Sequence, residues 1–452
     1  MGFTTRVVGR PGRVRLPIHI YMPPSGRAGG SSGAQTSARP HPLGARILRG
    51  MLAFICRGPR ALCLAGTGLS LLSTACGRST PPDTQPGNSR FHTDVRPALV
   101  ETAQRLAGSI TLDSVVQLGS SEDPASIMAD APFRACSVGR LGSGRFVVSA
   151  IVGGGQLAVY SRHGRFSRDI GGPGAGPREF GSHLRVLVGR GDTLYVADNS
   201  NARMVTLTSA GRVAHLFRTR RPVSDLALIG PDTILVHSRP PGASEGDTRL
   251  FELLDPSGDT LASFGEPSSR LGPLDQWILA PDQQGGFWAA GLWRYALYHW
   301  SDDRVVTRVL IRRADWFPTT QDLSPKRLSG LYTLGPPPAM MNALALDNQG
   351  RLWVYALVPD AHWATADPKP TSPRFFRGQF DTIVEVLDIA GAGPPRVLAR
   401  RRVDSVLGSV CGTSLAFSVV QTSAGDTRLQ VLAPELNAGP GRGTGQAEGA
   451  GS

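Results

Sequence analysis

A tight polar turn followed by three to five apolar or aromatic residues recurs six times along this chain, and that recurrence narrows the fold more than any other feature. The copies read GSGRFVVSA (142–150), RGDTLYVAD (190–198), GPDTILVHS (230–238), DQQGGFWAAG (282–291), DNQGRLWVYA (347–356) and CGTSLAFSVV (411–420). Their first apolar residues are Phe146, Leu194, Ile234, Phe287, Leu352 and Leu415, spaced 48, 40, 53, 65 and 63 residues apart. A repeat of that length with a turn–strand signature is one supersecondary unit that cannot bury its faces alone. Stacked radially, such units are the four-stranded blades of a β-propeller.

The segments after each marker fit the remaining strands. In the best-preserved copy ARMVTLTS (202–209), a turn and RVAHLFR (212–218) alternate apolar and polar residues between Gly, Asp and Ser clusters. The sixth copy supplies TRLQVLAP (427–434) as a third strand and then enters a Gly-rich tail. A spare strand, ITLDSVVQLG (110–119), stands at the other end of the repeat array. The expectation is therefore an all-β, six-bladed propeller over 110–436 in which the N-terminal strand completes the last blade, removing two open sheet edges. Two long insertions, 314–341 and 357–379, interrupt the array and are natural places for binding. Residues 437–452 have too few apolar side chains to order on their own.

The formal charge of +13 invites a nucleic-acid reading, but ten arginines and no acid lie in residues 1–75, leaving +3 for the rest. The basic character belongs to the leader, which argues against a nucleic-acid partner. Within it, MLAFICRGPRALCLAGTGLSLLSTAC (51–76) has Arg57 and Arg60 before the apolar run Ala61–Leu72, the layout of a signal peptide over 51–75. Residues 1–50 fit an extended leader or a start assigned too far upstream, and we favour Met51. Ser73-Thr74-Ala75 before Cys76 resembles the lipobox of bacterial lipoproteins, with Leu72 one place early. That resemblance implies lipidation of Cys76 and, with Gly77 after it, an outer-membrane anchor. Ordinary cleavage near Ala75 is the alternative. Residues 76–109 then form a linker, Pro/Ser-rich at first, with a short helix expected at 95–106.

GPGAGPREF, a seven-residue strand and GDTLYVADNSNARMVTLTSAG together resemble the NHL repeat. The match is good in the second blade alone. It implies the propeller fold and leaves function open, because such rings serve as scaffolds, ligand binders and enzymes.

Asp198, Asn199, Asn201 and Arg203 form its polar cluster, readable as a ligand contact or, more simply, as turn chemistry. Metal-dependent propeller hydrolases hold a calcium ion with channel carboxylates, and the acids placed nearest inner strands are Asp225, Asp282 and Asp347. No acid is available in RACSVGRL of the first blade, which weakens that reading. Trp288 and Trp353 share one repeat position with Tyr195 and suit packing between blades or a stacking platform. Trp363, Phe375 and Phe376 in the second insertion, with Trp293, Trp300 and Trp316, suit an aromatic recess for glycan or peptide. Arginine runs at 218–221, 312–313 and 400–402 fall at ends of outer strands, where charge discourages edge pairing or contacts phosphate. Cys136 and Cys411 lie in the first and last blades. Aligned on their turns they are offset along the channel by more than disulfide reach, which predicts two buried free thiols. The leading functional expectation is a lipid-anchored binding module for a protein or glycan partner. The alternative is a calcium-dependent propeller hydrolase or lyase.

Overall fold

A computed structural model describes residues 95–102, 106–120, 136–149, 155–238, 249–266, 276–318, 336–363, 380–390, 394–421 and 427–438. These residues form six sheets, antiparallel but for one added strand in each of two, and, apart from two single 3-10 turns, no helix. From the channel outward, the first blade runs Val138–Arg140, Phe146–Val148, Gln156–Tyr160 and Phe166–Gly171. The second runs Leu184–Val188, Leu194–Asp198, Arg203–Leu207 and Val213–Arg218. The third is Val223–Leu228, Ile234–Ser238, Phe251–Leu254 and Thr260–Phe264, and the fourth Trp277–Pro281, Phe287–Gly291, Ala296–Trp300 and Val306–Ile311. The fifth comprises Met340–Leu346, Leu352–Pro359, Phe380–Asp388 and Arg396–Val403. Each inner strand lies beside that of the next blade, so the chain is a six-bladed β-propeller.

The inner strands are covered on both faces, which is why they read as apolar runs, whereas outer strands such as Val213–Arg218 keep an exposed face. Six apolar clusters fill the six seams between neighbouring blades. Successive residues of one strand serve opposite seams. Phe287 and Ala289 face the third blade, whereas Trp288 and Ala290 face the fifth. The third–fourth seam is the most aromatic: Phe251 lies 5.4 Å from Phe287 and 5.6 Å from Trp300, and Phe287 stacks on Trp300 at 6.0 Å.

Closure is made from both ends of the chain. The sixth blade runs Leu407–Ser409, Ala416–Gln421, Thr427–Ala438 and, outermost, Gly108–Leu118. That last strand pairs antiparallel with the chain's final strand from Leu118↔Leu429 to Gly108↔Ala438. Gly164 of the first blade, at φ +81°, approaches its end so closely that a Cβ would stand 1.9 Å from the Gln117 carbonyl. Only glycine fits that junction.

Two features differ from expectation. The helix expected at 95–106 is, over 95–102, a pair of short strands. Ala98–Leu99 adds a fifth, parallel strand to the fourth blade and Glu101–Thr102 does the same for the fifth. Pro97 and β-branched Val95, Val100 and Thr102 favour extended backbone, and open strand edges were available to pair with it. This segment runs as a belt, with Val95 packed against the third–fourth seam and Val100, Ile110 and Leu118 buried in the next three. The second difference is the cysteines: Cys136 and Cys411 form a disulfide with their Cα atoms 4.7 Å apart. Turn alignment misjudged the offset on two counts. The blades are staggered, so that Cys411 N–H bonds to the Val138 carbonyl and Cys411 is level with Gly139. The chain before Gly139 is also not extended, because Cys136 turns at φ +59° ahead of the strand that begins at Val138.

Candidate functional sites

The channel is built by the inner strands. The disulfide joins the first and sixth blades, yet Cys136 Sγ lies 3.1 Å from the Leu226 carbonyl oxygen on the third blade, across the ring. The bridge therefore spans the channel at that level. Beside it, fully buried Asp225 accepts the backbone N–H groups of Leu226 and of Leu279 on the fourth blade, both at 2.8 Å. Burial pushes its carboxyl up to about 7, against the pull of those two N–H groups and the Arg185 guanidinium. Arg185, on the second blade, itself donates to the Leu184 carbonyl at 2.9 Å.

Other buried and half-buried polar side chains stitch one blade to the next. Asn199 donates to the Val223 carbonyl at 2.8 Å and accepts its N–H at 2.7 Å. His237 Nε2 accepts the Trp277 N–H at 3.0 Å, which leaves Nδ1 to donate to the Leu250 carbonyl at 3.0 Å. Thr382 accepts the Leu407 N–H at 2.9 Å and donates to Ser405. Each satisfies backbone groups at the start of the next inner strand.

The NHL-like cluster is occupied in the same manner. Buried Asp198 accepts Gly181 N–H, Asn201 Nδ2 (2.7 Å) and Arg203 Nε (3.1 Å). Arg203 donates to the carbonyls of Ala175, Gly176 and Glu179, and Asn201 to that of Gly174. These contacts fold the GPGAGPREF loop onto the blade.

Asp282 and Asp347 cap their own hairpin turns. Asp282 accepts Gln284 and Gly286 N–H and meets His299 Nε2 at 2.6 Å. Asp347 accepts Gln349 N–H, Arg351 Nε at 2.7 Å and Trp353 Nε1 at 2.9 Å. Burial would raise its carboxyl, but these hydrogen bonds together hold it below its ordinary value. The acids singled out from sequence thus serve separate local roles. Among the described residues, the carboxylates near enough to share a cation are Asp360, Asp381 and Asp404, all within 4.8 Å of one another. Asp381 also carries Arg402 Nε at 2.6 Å and Asp360 the His362 N–H at 2.6 Å. Sequence spacing gave no hint of this trio, because it joins three different loops and strands of the fifth blade.

Trp288 and Trp353 pack into the seams toward the following blade, as does Tyr195. Trp277, Trp293, Trp300 and Trp363 are also buried. Trp316 alone of the tryptophans keeps a partly open ring, with Arg400 above it at 5.7 Å. Phe375 and Phe376 lie outside the described residues, as does Cys76.

One arginine of each run turns inward, Arg221, Arg312 and Arg400, whereas Arg218, Arg220, Arg313, Arg401 and Arg402 are exposed. Buried Glu385 accepts Tyr295 Oη at 2.7 Å, Arg400 Nε at 2.7 Å and Arg312 Nη2 at 3.3 Å across the fourth–fifth seam. Burial, followed by the charge and hydrogen bond of Glu385, pushes the Tyr295 phenol well above its ordinary value. Arg221 pairs with Glu252 at 3.1 Å. Sequence reasoning placed these arginines outside because it could not see which outer-strand ends face a neighbouring blade.

No family model and no curated protein sequence matches the chain. Solved structures do. A member of the DUF4221 family from Bacteroides vulgatus superposes over 74% of this chain and 100% of its own, with TM-score 0.52 and 11% identity. A putative exported protein from Bacteroides fragilis matches over 76% of this chain and 100% of its own, at 0.49 and 10%. BamB from Moraxella catarrhalis covers 76% of this chain and 95% of its own, at 0.35 and 14%. At such identities the likeness is one of fold.

Proposed function

We propose that this protein is an exported, lipid-anchored propeller with one NHL-like blade, acting as a rigid binding or scaffold module for a partner protein in the bacterial envelope. The observation that carries this reading is the disulfide across the channel, with its sulfur 3.1 Å from the opposite wall, where a propeller hydrolase would need room for substrate. The neighbouring acid supports it as well, since both Asp225 oxygens are committed to backbone N–H groups. A protein partner suits the site better than a glycan, because the tryptophans that would stack on sugar rings are buried apart from Trp316.

The second reading, a calcium-dependent hydrolase or lyase, draws on the trio Asp360, Asp381 and Asp404. These three would hold the ion, and a bound calcium would polarise a carbonyl oxygen there. One experiment separates the two. The purified mature protein is titrated with calcium in a thermal melt and assayed on a panel of lactones and esters. No calcium-dependent shift and no turnover is the expected result. Turnover that disappears in Asp381→Asn or Asp225→Asn would overturn the scaffold reading. Metabolic labelling with palmitate, lost in Cys76→Ser, tests the anchor separately.

A further inference from the structure

The belt offers a docking site that the strand repeat does not account for. Within a blade the chain meanders, so neighbouring strands are antiparallel. Ala98–Leu99 and Glu101–Thr102 break that rule, lying parallel to Leu310–Ile311 and Arg396–Val397 on the outer edges of the fourth and fifth blades. They are docked there from elsewhere in the chain, by strand addition. Main-chain bonds hold them: Val100 N–H donates to the Ile311 carbonyl and Glu101 N–H to that of Pro395, both at 2.9 Å.

A single side chain gives this contact its selectivity. Val100 is buried between the two blades, in the cluster that contains Leu310, Phe317, Ile383 and Val397. Its neighbours face outward: Ala98, Glu101 and Thr102 are exposed, and Leu99 is 53% exposed, among the most open large apolar residues described. A segment ordered by a few backbone bonds, with Val100 buried and Val95 partly buried, is weakly held beside strands such as Leu194–Asp198 and Arg203–Leu207, which are buried throughout. Backbone pairing with one pocket for an alternate side chain is also how sheet edges recognise extended peptides in general.

From this geometry we infer that the outer edges of the fourth and fifth blades form a strand-acceptor site. The chain's own Ala98–Thr102 holds it as a placeholder. Its partner is an extended segment of another protein that presents a β-branched aliphatic residue at the Val100 position. The chain's own Leu99–Val100–Glu101 shows what the edge accepts. The inference rests on the protein-binding reading above and names the site at which such binding takes place.

The test uses the full mature chain and a fluorescent peptide with the sequence of residues 95–102, VRPALVET. Val100→Asp in the protein places a charge in the seam and frees the belt from its pocket without touching either blade edge. That variant should bind the peptide saturably, while the wild type binds roughly tenfold or more weakly because its acceptor is already filled. A peptide with Asp in place of the valine should bind neither. The inference is overturned if a folded Val100→Asp protein, with a native circular dichroism spectrum, fails to bind. It is equally overturned if wild type and variant bind alike. If the variant does not fold, hydrogen exchange on the wild type decides. Val100 and Glu101 amides exchanging well ahead of the blade strands support a removable belt, and protection equal to the core refutes it. Failure here leaves the calcium and turnover assays untouched, so the broader reading stands or falls on its own.

Discussion

The disulfide has a consequence that can be worked out from its position. Cys136 and Cys411 are 275 residues apart, so the bridge closes almost the whole ring into one covalent loop. In the chain-entropy account a loop of that length removes roughly 19 cal/mol/K from the unfolded ensemble, about 5.6 kcal/mol at 25 °C. Measured bridges fall within about 5 kcal/mol and commonly below the formula, so about 3–5 kcal/mol is the working figure. The ring from Gly108 to Ala438 gains entropy on unfolding at roughly 2.1 cal/mol/K per residue, about 0.7 kcal/mol/K in all. Removing the bridge should therefore lower Tm by roughly 4–7 °C.

The perturbation is Cys136→Ala together with Cys411→Ala, since serine would place hydroxyls in an apolar seam. The assay is a pair of calorimetric melts, wild type and variant, each with and without reductant. Wild type alone should respond to reductant, and reduced wild type should approach the variant. Denaturant titration gives a second check, because the uncrosslinked chain unfolds to a more expanded state and its m-value should rise. Alkylation of the denatured, unreduced protein should leave the peptides holding Cys136 and Cys411 unlabelled. A variant whose Tm stays within about 1 °C of wild type would refute the argument, since no loop of this length can close so cheaply.

Two further predictions concern buried charge. Glu385→Gln leaves the Arg312 and Arg400 guanidiniums facing a neutral amide in the fourth–fifth seam, and should cost about 3–5 kcal/mol in chemical denaturation. Arg396→Ala, which breaks an exposed pair with Asp388 at 3.3 Å, should cost no more than about 1 kcal/mol. Equal losses in the two variants would show that burial is not what separates them. Asp225 gives a pH dependence of defined sign. Its folded carboxyl is raised from 3.8 to about 7, so its contribution is fully present below the unfolded value and is lost as pH rises through about 7. Across that window wild type should lose up to about 4 kcal/mol relative to Asp225→Asn, which does not titrate. Melts of both proteins between about pH 4.5 and 8.5 measure the difference, and one that is constant or grows in favour of wild type sinks the assignment.

Much of the ring was legible because each blade repeats a local signal. The turn phrase, its period and the missing fourth strand after 427–434 together fixed six blades and closure by the strand observed at Gly108–Leu118. What the repeat could not carry was anything that depends on how one blade stands against the next. The Cys136–Cys411 bridge is the clearest case. Counting residues from each turn treats all inner strands as level and extended, whereas Cys411 stands beside Gly139 and the chain bends at Cys136, φ +59°, before its strand begins. Arg312 and Arg400 escape for the same reason, while Arg313, Arg401 and Arg402 stay exposed as expected. An arginine at the end of an outer strand reads as solvated until a buried carboxylate, here Glu385, is known to face it from the neighbouring sheet.

The belt marks the deeper limit. Residues 95–102 carry no repeat, no alternation long enough to read and a proline, so their local preference does little to choose between a short helix and a strand. Their conformation is decided by two strand edges more than two hundred residues away in sequence. Tertiary pairing of this kind overrides propensity wherever an unpaired ladder is offered to a segment that can extend. A closed array of antiparallel blades always leaves such ladders on its outer rim. The fourth and fifth blades fill theirs with the chain's own belt. The second and third present Leu216 and Leu261, 42% and 53% exposed, on outer strands with no added strand beyond them among the described residues. The rim, where the repeat runs out of partners, is therefore the part of this protein with the most unmet pairing, and the part where a partner strand gains most by binding.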